Sequence, residues 1–169
     1  MEHDAVGKRF ATCPEQSGIE DNPMAGTMKE KENETALPKP LEDITVLDLT
    51  VALAGPFATF LLAGLGARVI KVENPAGGDQ CRENAPYLGA DGASLVRRNA
   101  DDVSVSAINR LRNKLGITLD LKNPEARAVF ADPVRKSDVL IENYSRGTLD
   151  RLGVGYNWLH EVNPRLVCC

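Results

Sequence analysis

The sequence predicts an α/β fold, a Rossmann-like parallel sheet with flanking helices, over residues 41–169. Three observations point there. Short β-branched runs alternate with runs of helical period, the pattern of βαβ units. The stretch Thr45–Glu73 reads strand, turn, helix, strand without interruption, which places its two strands parallel. The last run, Arg165–Cys169, reads as a fifth strand with no helix after it. Parallel sheets are covered on both faces, so the sequence predicts an N-terminal piece of something longer, with one sheet face bare.

Within the first unit, Thr45–Leu49 is a short apolar strand leading into a loop closed by Ala54-Gly55-Pro56. Pro56 marks the helix start, because a first turn needs no N–H there and proline's φ is already helical. Phe57, Leu61, Leu62 and Leu65 recur at helical spacing, Gly64 and Gly66 end the run, and Val69–Glu73 is the second strand. Ligands of such sheets bind beyond the carboxyl ends of the strands, which singles out the loops Thr50–Pro56 and Asn74–Arg82.

The connection Asn74–Ser106 is long, polar and glycine-rich, and reads equally as a functional loop or a solvated excursion. In it Gly77 and Gly78 permit a tight turn, while Asp79 and Arg82 either fix the loop or meet a ligand. Ile108–Asn113 is a short helix or turn, and Gly116–Leu121 is the third strand. Asn123 caps the next helix, with Pro124 at its first position and Glu125 at the positive dipole end. Ala126, Val129, Phe130 and Val134 supply its buried face, and Pro133 predicts a kink or a stop. Asp138–Glu142 is the fourth strand, Thr148–Leu152 one helical turn, and Tyr156–Val162 an amphipathic helix.

Composition narrows the function. A net charge of -4 argues against a general nucleic-acid binder. No apolar run approaches the length of a membrane span, and the N-terminus lacks a signal or presequence pattern, so the reading is a cytoplasmic protein without membrane partners. Cys13, Cys81, Cys168 and Cys169 match no zinc spacing and are read as unpaired thiols, with no metal expected. Residues 1–40 hold almost no apolar clusters and are expected to form a disordered tail, with Met24 or Met28 equally acceptable as the true start.

Residue types alone give no catalytic set. His3 lies in the tail and His160 on the amphipathic helix, so no nucleophile–base pair is credible. Asp48 and Asp120 read as structural. The glycines of Ala63–Ala67 follow a helix rather than a strand, so they stop a helix and do not form a dinucleotide fingerprint.

Five blocks in order carry a resemblance: LEDITVLDLT; ALAGPFATFLLAGLGARVIKVENPAGGDQCR; NRLRNKLGITLDLKNPEAR; SDVLIENYSRGTLDRLGVGY; and NPRLV. Together, over Leu41–Cys169, they closely resemble the N-terminal part of the class III CoA-transferases, the family of formyl-CoA transferase, carnitine CoA-transferase-like proteins and α-methylacyl-CoA racemases. The resemblance implies an enzyme that moves CoA between an acyl-CoA donor and a carboxylic acid acceptor, with a Rossmann-like large domain and an interlocked homodimer. It places CoA against Leu53 and Ala54, Asn74, Leu119, Asp120, Leu121 and Lys122, Asn143, Tyr144 and Ser145, and Arg151. Lys122 and Arg151 are the cations for its phosphates.

This sequence departs from the formyl-CoA transferases in several places. Asn74 replaces an arginine, Leu115 a basic residue, Pro133 interrupts a helix, and the connection between Arg82 and Asn109 is longer. The family's nucleophile is an aspartate that attacks the thioester, and it matches no residue here. It is expected beyond Cys169, so the chain alone is expected to be an inactive fragment. The alternatives are a non-catalytic CoA-binding or dimerising chain, a racemase-type relative, and an unfolded relic.

Overall fold

A computed structural model describes residues 37–169. The proposed disordered tail up to residue 36, with His3 and Cys13, lies outside the described residues. Five strands form one parallel sheet: β1 (Thr45–Asp48), β2 (Arg68–Glu73), β6 (Leu115–Thr118), β7 (Val139–Ile141) and β8 (Val167–Cys168), in the order β6-β2-β1-β7-β8. The helices are α1 (Ala54–Gly64), α2 (Val105–Leu111), α3 (Pro124–Arg135), α4 (Thr148–Arg151) and α5 (Tyr156–Val162). The predicted strands and helices are all present, with ends shifted by a few residues.

Alternation along the strands divides the core. Leu47, Leu49, Val72 and Leu140 face a cluster completed by Phe130 and Val134 of α3 and Leu159 of α5. Val46 and Val69 face the other way, onto Ala63 and Ala67 at the end of α1. Both faces are therefore covered where the sequence predicted one bare. The covering thins at β8, where Val167 remains 56% exposed.

Four expectations need correction. Helix α1 starts two residues before Pro56, which a proline in the first turn permits because those amides have no intrahelical acceptor. The apolar spacing in α1 marks its buried face only in part: Leu62 packs on the second cluster and Pro56, Thr59 and Ala63 are buried, whereas Phe57 is 49% exposed and Leu61 and Leu65 are comparable. Helix α3 continues through Pro133 to Arg135, and its buried side is Phe130, Ala131 and Val134, with Val129 60% exposed. Only the last turn is left beyond Pro133, so the break costs one hydrogen bond near an end that would fray anyway.

The fourth correction concerns the polar connection. It is largely exposed but not structureless. Cys81 anchors a short 3-10 turn at Gln80–Glu83, and β3 (Tyr87–Gly89) pairs antiparallel with β4 (Gly92–Ser94) and β5 (Val103–Ser104). Beyond the 3-10 turn its buried residues are Tyr87, Asp102 and Ser104. Strands this short and glycine-rich carry little period-two signal, which hid them in the sequence.

Candidate functional site

All five sheet strands run the same way, so their carboxyl ends share one edge, and four loops meet there. They are 49–53 after β1, 74–79 after β2, 119–123 after β6 and 142–147 after β7. Chain order reverses between β2-β1 and β1-β7, the position where open parallel sheets open a crevice. A shallow cleft of about 60 Å³ lies at this edge, lined by Leu49, Val72, Glu73, Asn74, Leu119, Asp120, Leu121, Lys122, Tyr144 and Leu152. Six residues expected from three separate stretches thus line one cleft: Asn74, Leu119, Asp120, Leu121, Lys122 and Tyr144.

Its walls suit a ligand with an apolar ring and an anionic chain. Leu119, Leu121, Leu152 and Tyr144 are apolar or aromatic and pack onto the core behind them. Lys122 is exposed, and its ammonium has no partner among the described residues. The two carboxylates at the rim are already engaged. Glu73 takes a bidentate pair from Arg82, Nε at 2.8 Å and Nη2 at 2.7 Å, and accepts the Asp79 amide at 2.8 Å. Burial alone would raise the Glu73 carboxyl, but these partners outweigh it and hold it below the ordinary value. Asp120 Oδ1 accepts the Lys122 amide at 3.1 Å, turning the chain into the Asn123 cap.

The other expected residues lie around this cleft rather than in it. Leu53 and Ala54 are exposed at the start of α1, whose N-terminus has no side-chain cap. Asn143 does not face a ligand freely. Its Oδ1 accepts the Val51 amide at 2.8 Å and its Nδ2 donates to the Val51 carbonyl at 2.9 Å, zipping two loops together. Ser145 lines a second hollow with Arg146, Thr148 and Tyr156. Arg151 is exposed on α4, with Nη2 donating to Thr148 Oγ1 at 2.7 Å, and lines neither cleft. Glu142 accepts the Tyr156 hydroxyl at 2.8 Å, which pushes that phenol up to about 12.

Under the β1–α1 loop sits a group that sequence reasoning missed. Asp48, Lys71, Asp79 and Lys114 bury four charged side chains, each 2% exposed or less. The register sets Asp48 directly opposite Lys71. Lys71 Nζ lies 3.5 Å from Asp48 and 3.0 Å from Asp79, and also donates to the Thr50 carbonyl. Lys114 Nζ reaches Asp48 Oδ2 at 2.9 Å, Thr59 Oγ1 at 2.7 Å and the Pro56 carbonyl at 2.8 Å. Asp48 further accepts the Thr50 amide and the Thr50 and Thr59 hydroxyls.

Two acids and two lysines leave no net charge to bury. Burial works against every member. For Asp48, two ammonium groups and two hydroxyl bonds outweigh it and lower the carboxyl. For Lys114, facing one carboxylate, burial prevails and pulls the ammonium down. A legible signal existed: a lysine inside the apolar run Val69–Val72 of a central strand requires a buried carboxylate. Gly55 belongs to the same packing, because any Cβ there would come within 2.4 Å of Thr50 Cβ.

Asp79 joins the polar connection to this group. It accepts the Ala52 and Cys81 amides, each at 2.9 Å, so of the two roles open to it, it fixes the loop. Arg82 does the same through Glu73. Burial, reinforced by the neighbouring Asp79, raises the Cys81 thiol to about 12, so it is an inert packing group. Among the described residues no cluster of three or more metal-ligating side chains occurs, and no helix is long and apolar enough to cross a membrane.

Comparison with known proteins agrees with this architecture. The chain is 43% identical to the acetyl-CoA:oxalate CoA-transferase of Acetobacter aceti over 137 residues, covering 80% of the chain and 32% of that enzyme. It is 38% identical to the human succinyl-CoA:glutarate CoA-transferase, covering 78% of the chain and 27% of that enzyme. A CaiB/BaiF family protein from Brucella suis superposes with a TM-score of 0.66 at 34% identity, over 78% of the chain and 32% of that structure. The chain spans about a third of the length of these relatives. The family model for CoA-transferase family III matches residues 41–169, the whole of the parallel sheet, and the chain belongs to that family.

Proposed function

We propose that this chain forms the CoA-binding part of an enzyme that moves CoA between an acyl-CoA donor and a carboxylic acid acceptor. The observation that carries the reading is the meeting of Asn74, Leu119–Lys122 and Tyr144 in one cleft at the carboxyl edge of the sheet. Tyr144 and the three leucines supply an apolar wall for an adenine ring, and the unpaired Lys122 ammonium supplies a phosphate contact. Leu53 and Ala54, at the uncapped start of α1, add backbone donors along the same edge. Ser145 and Arg151 flank it, the latter as a second cation. Asn143 contributes by holding Val51 rather than by touching CoA.

The aspartate nucleophile belongs, in this reading, to sequence following Cys169. The buried acids beside the cleft fit this: Asp48, Asp79 and Glu73 are held in ion pairs. The chain by itself is therefore a CoA binder without transferase activity. The complete protein is read as an interlocked homodimer acting in the cytoplasm.

Isothermal titration of CoA into the 169-residue chain tests the cleft. Saturable binding is expected, and Lys122→Ala should weaken it about tenfold, the loss of one charge-assisted contact. Absence of binding, or identical affinity in the variant, overturns the assignment. Thioester exchange by the chain alone would refute the placement of the nucleophile.

A further inference from the structure

We propose that Lys71 is a positioning residue for the CoA site. Its buried ammonium bolts the loop after β1 to the loop after β2, so that Leu53-Ala54 and Asn74 form one rigid rim. This rests on the reading of the cleft given above.

Three observations converge. Lys71 is 2% exposed in the middle of a central strand, where methionine or leucine would pack without any desolvation penalty. The groups its charge reaches explain its presence: the Thr50 carbonyl in the first loop, and Asp79 Oδ2, 3.0 Å away, in the second. The other oxygen of Asp79 returns to the first loop and accepts the Ala52 amide at 2.9 Å. Thr50, Lys71, Asp79 and Ala52 therefore close a ring across the two loops.

The backbone inside that ring is strained. Ala52 has φ = 69°, a left-handed conformation that alanine adopts only when its surroundings enforce it. Asn143 and Arg110 hold the outer side of the same turn, at Val51 and at the Ala52 carbonyl. Leu53 and Ala54 follow immediately, so the φ of Ala52 decides where they point. Lys114, the other buried ammonium, bonds only to Asp48, Pro56 and Thr59 and touches neither loop. The two lysines divide the work, one tying β1 to α1 and the other setting the ligand rim.

The test uses the 169-residue chain with Lys71→Met and with the double variant Lys71→Met/Asp79→Asn. In the double variant the remaining charges, Asp48 and Lys114, still balance, and the asparagine oxygen can still accept from Ala52, so folding survives where the single variant fails. Asn163→Ala is the stability control. It loses three bonds, two to the Val134 and Ser137 carbonyls and one from the Arg165 amide, at the opposite, amino edge of the sheet.

CoA affinity, melting temperature and hydrogen exchange are measured together. Asn163→Ala should lower the melting temperature and leave CoA affinity within twofold of the parent. The double variant should bind CoA at least tenfold more weakly. Its amides at 50–54 should exchange faster while those of α3 do not. A double variant with parental affinity, or with loop exchange no faster than in Asn163→Ala, overturns the proposal. If the parent itself binds no CoA, the reading of the cleft falls. Faster loop exchange would then still support the loop-fixing role of Lys71, and unchanged exchange would still refute it.

Discussion

Thr59 is the point at which the buried charges can be challenged with least collateral damage. Its hydroxyl donates to Asp48 Oδ2 at 2.6 Å and accepts from Lys114 Nζ at 2.7 Å, with the residue fully buried. Valine keeps the shape and deletes both bonds. A hydrogen bond to a charged group contributes about 1.5–3 kcal/mol. Asp48 retains Thr50 and both lysines, and Lys114 retains Asp48 and the Pro56 carbonyl, so the lower end of that range applies to each bond. The sum is about 3 kcal/mol. Against a typical domain stability of about 5–15 kcal/mol the variant still folds. At roughly 4 °C per kcal/mol for a domain of this size, its melting temperature should fall by about 12 °C. Thermal unfolding followed by the fluorescence of Trp158, the single tryptophan, measures it directly. Thr59→Ser is the comparator, since it keeps the hydroxyl and loses one buried methyl, about 1 kcal/mol. If valine proves no more damaging than serine, the hydroxyl is not bonding the charges and the account of this network is wrong.

Two further expectations concern stability alone. The carboxyls of Asp48, Asp79 and Glu73 all lie below their ordinary values in the folded chain, because neighbouring cations and amide donors outweigh burial. The unfolded chain then binds more protons in acid, so unfolding free energy rises with pH across that range. It should be fully developed above about pH 5 and decline as pH falls through and below about 4. Denaturant midpoints at a series of pH values would show this, and a midpoint flat down to pH 3 would contradict it. Pro133→Ala restores an N–H four residues after the Val129 carbonyl near the end of α3 and should stabilise by about 1 kcal/mol. A lower melting temperature would mean that the proline ring is worth more to the core than the missing bond.

The strands and helices of the sheet were legible because their signals are local. Apolar runs, the Asn123-Pro124 helix start and the glycine stops depend on neighbours in sequence, and the structure reproduces them. The family, too, was readable from five ordered blocks. Burial was less so. The apolar spacing of α1 pointed to Phe57, Leu61, Leu62 and Leu65, yet of these only Leu62 packs on the core, and the helix turns Thr59 and Ala63 inward. Lys114 needs a carboxylate, and Asp48 needs Lys114 and the Thr59 hydroxyl beneath it, so polar pairing rather than hydrophobicity sets the rotation.

The ligand edge divides in the same way. Sequence named Asn74, Leu119–Lys122 and Tyr144, but only the parallel register of β1, β2, β6 and β7 brings their loops into one cleft. Asn143 carries the right residue type, but its amide clamps Val51; Arg151 lies on α4 outside the cleft, bonded to the Thr148 hydroxyl. Lys71 and Asp48 lie 23 positions apart and meet solely because two strands pair in one register. A buried charge pair is a long-range bargain between residues whose local propensities say nothing of each other. Sequence alone determined the order of elements and the family; which polar side chains face inward, and which loops they bind together, was decided by the packing of the sheet.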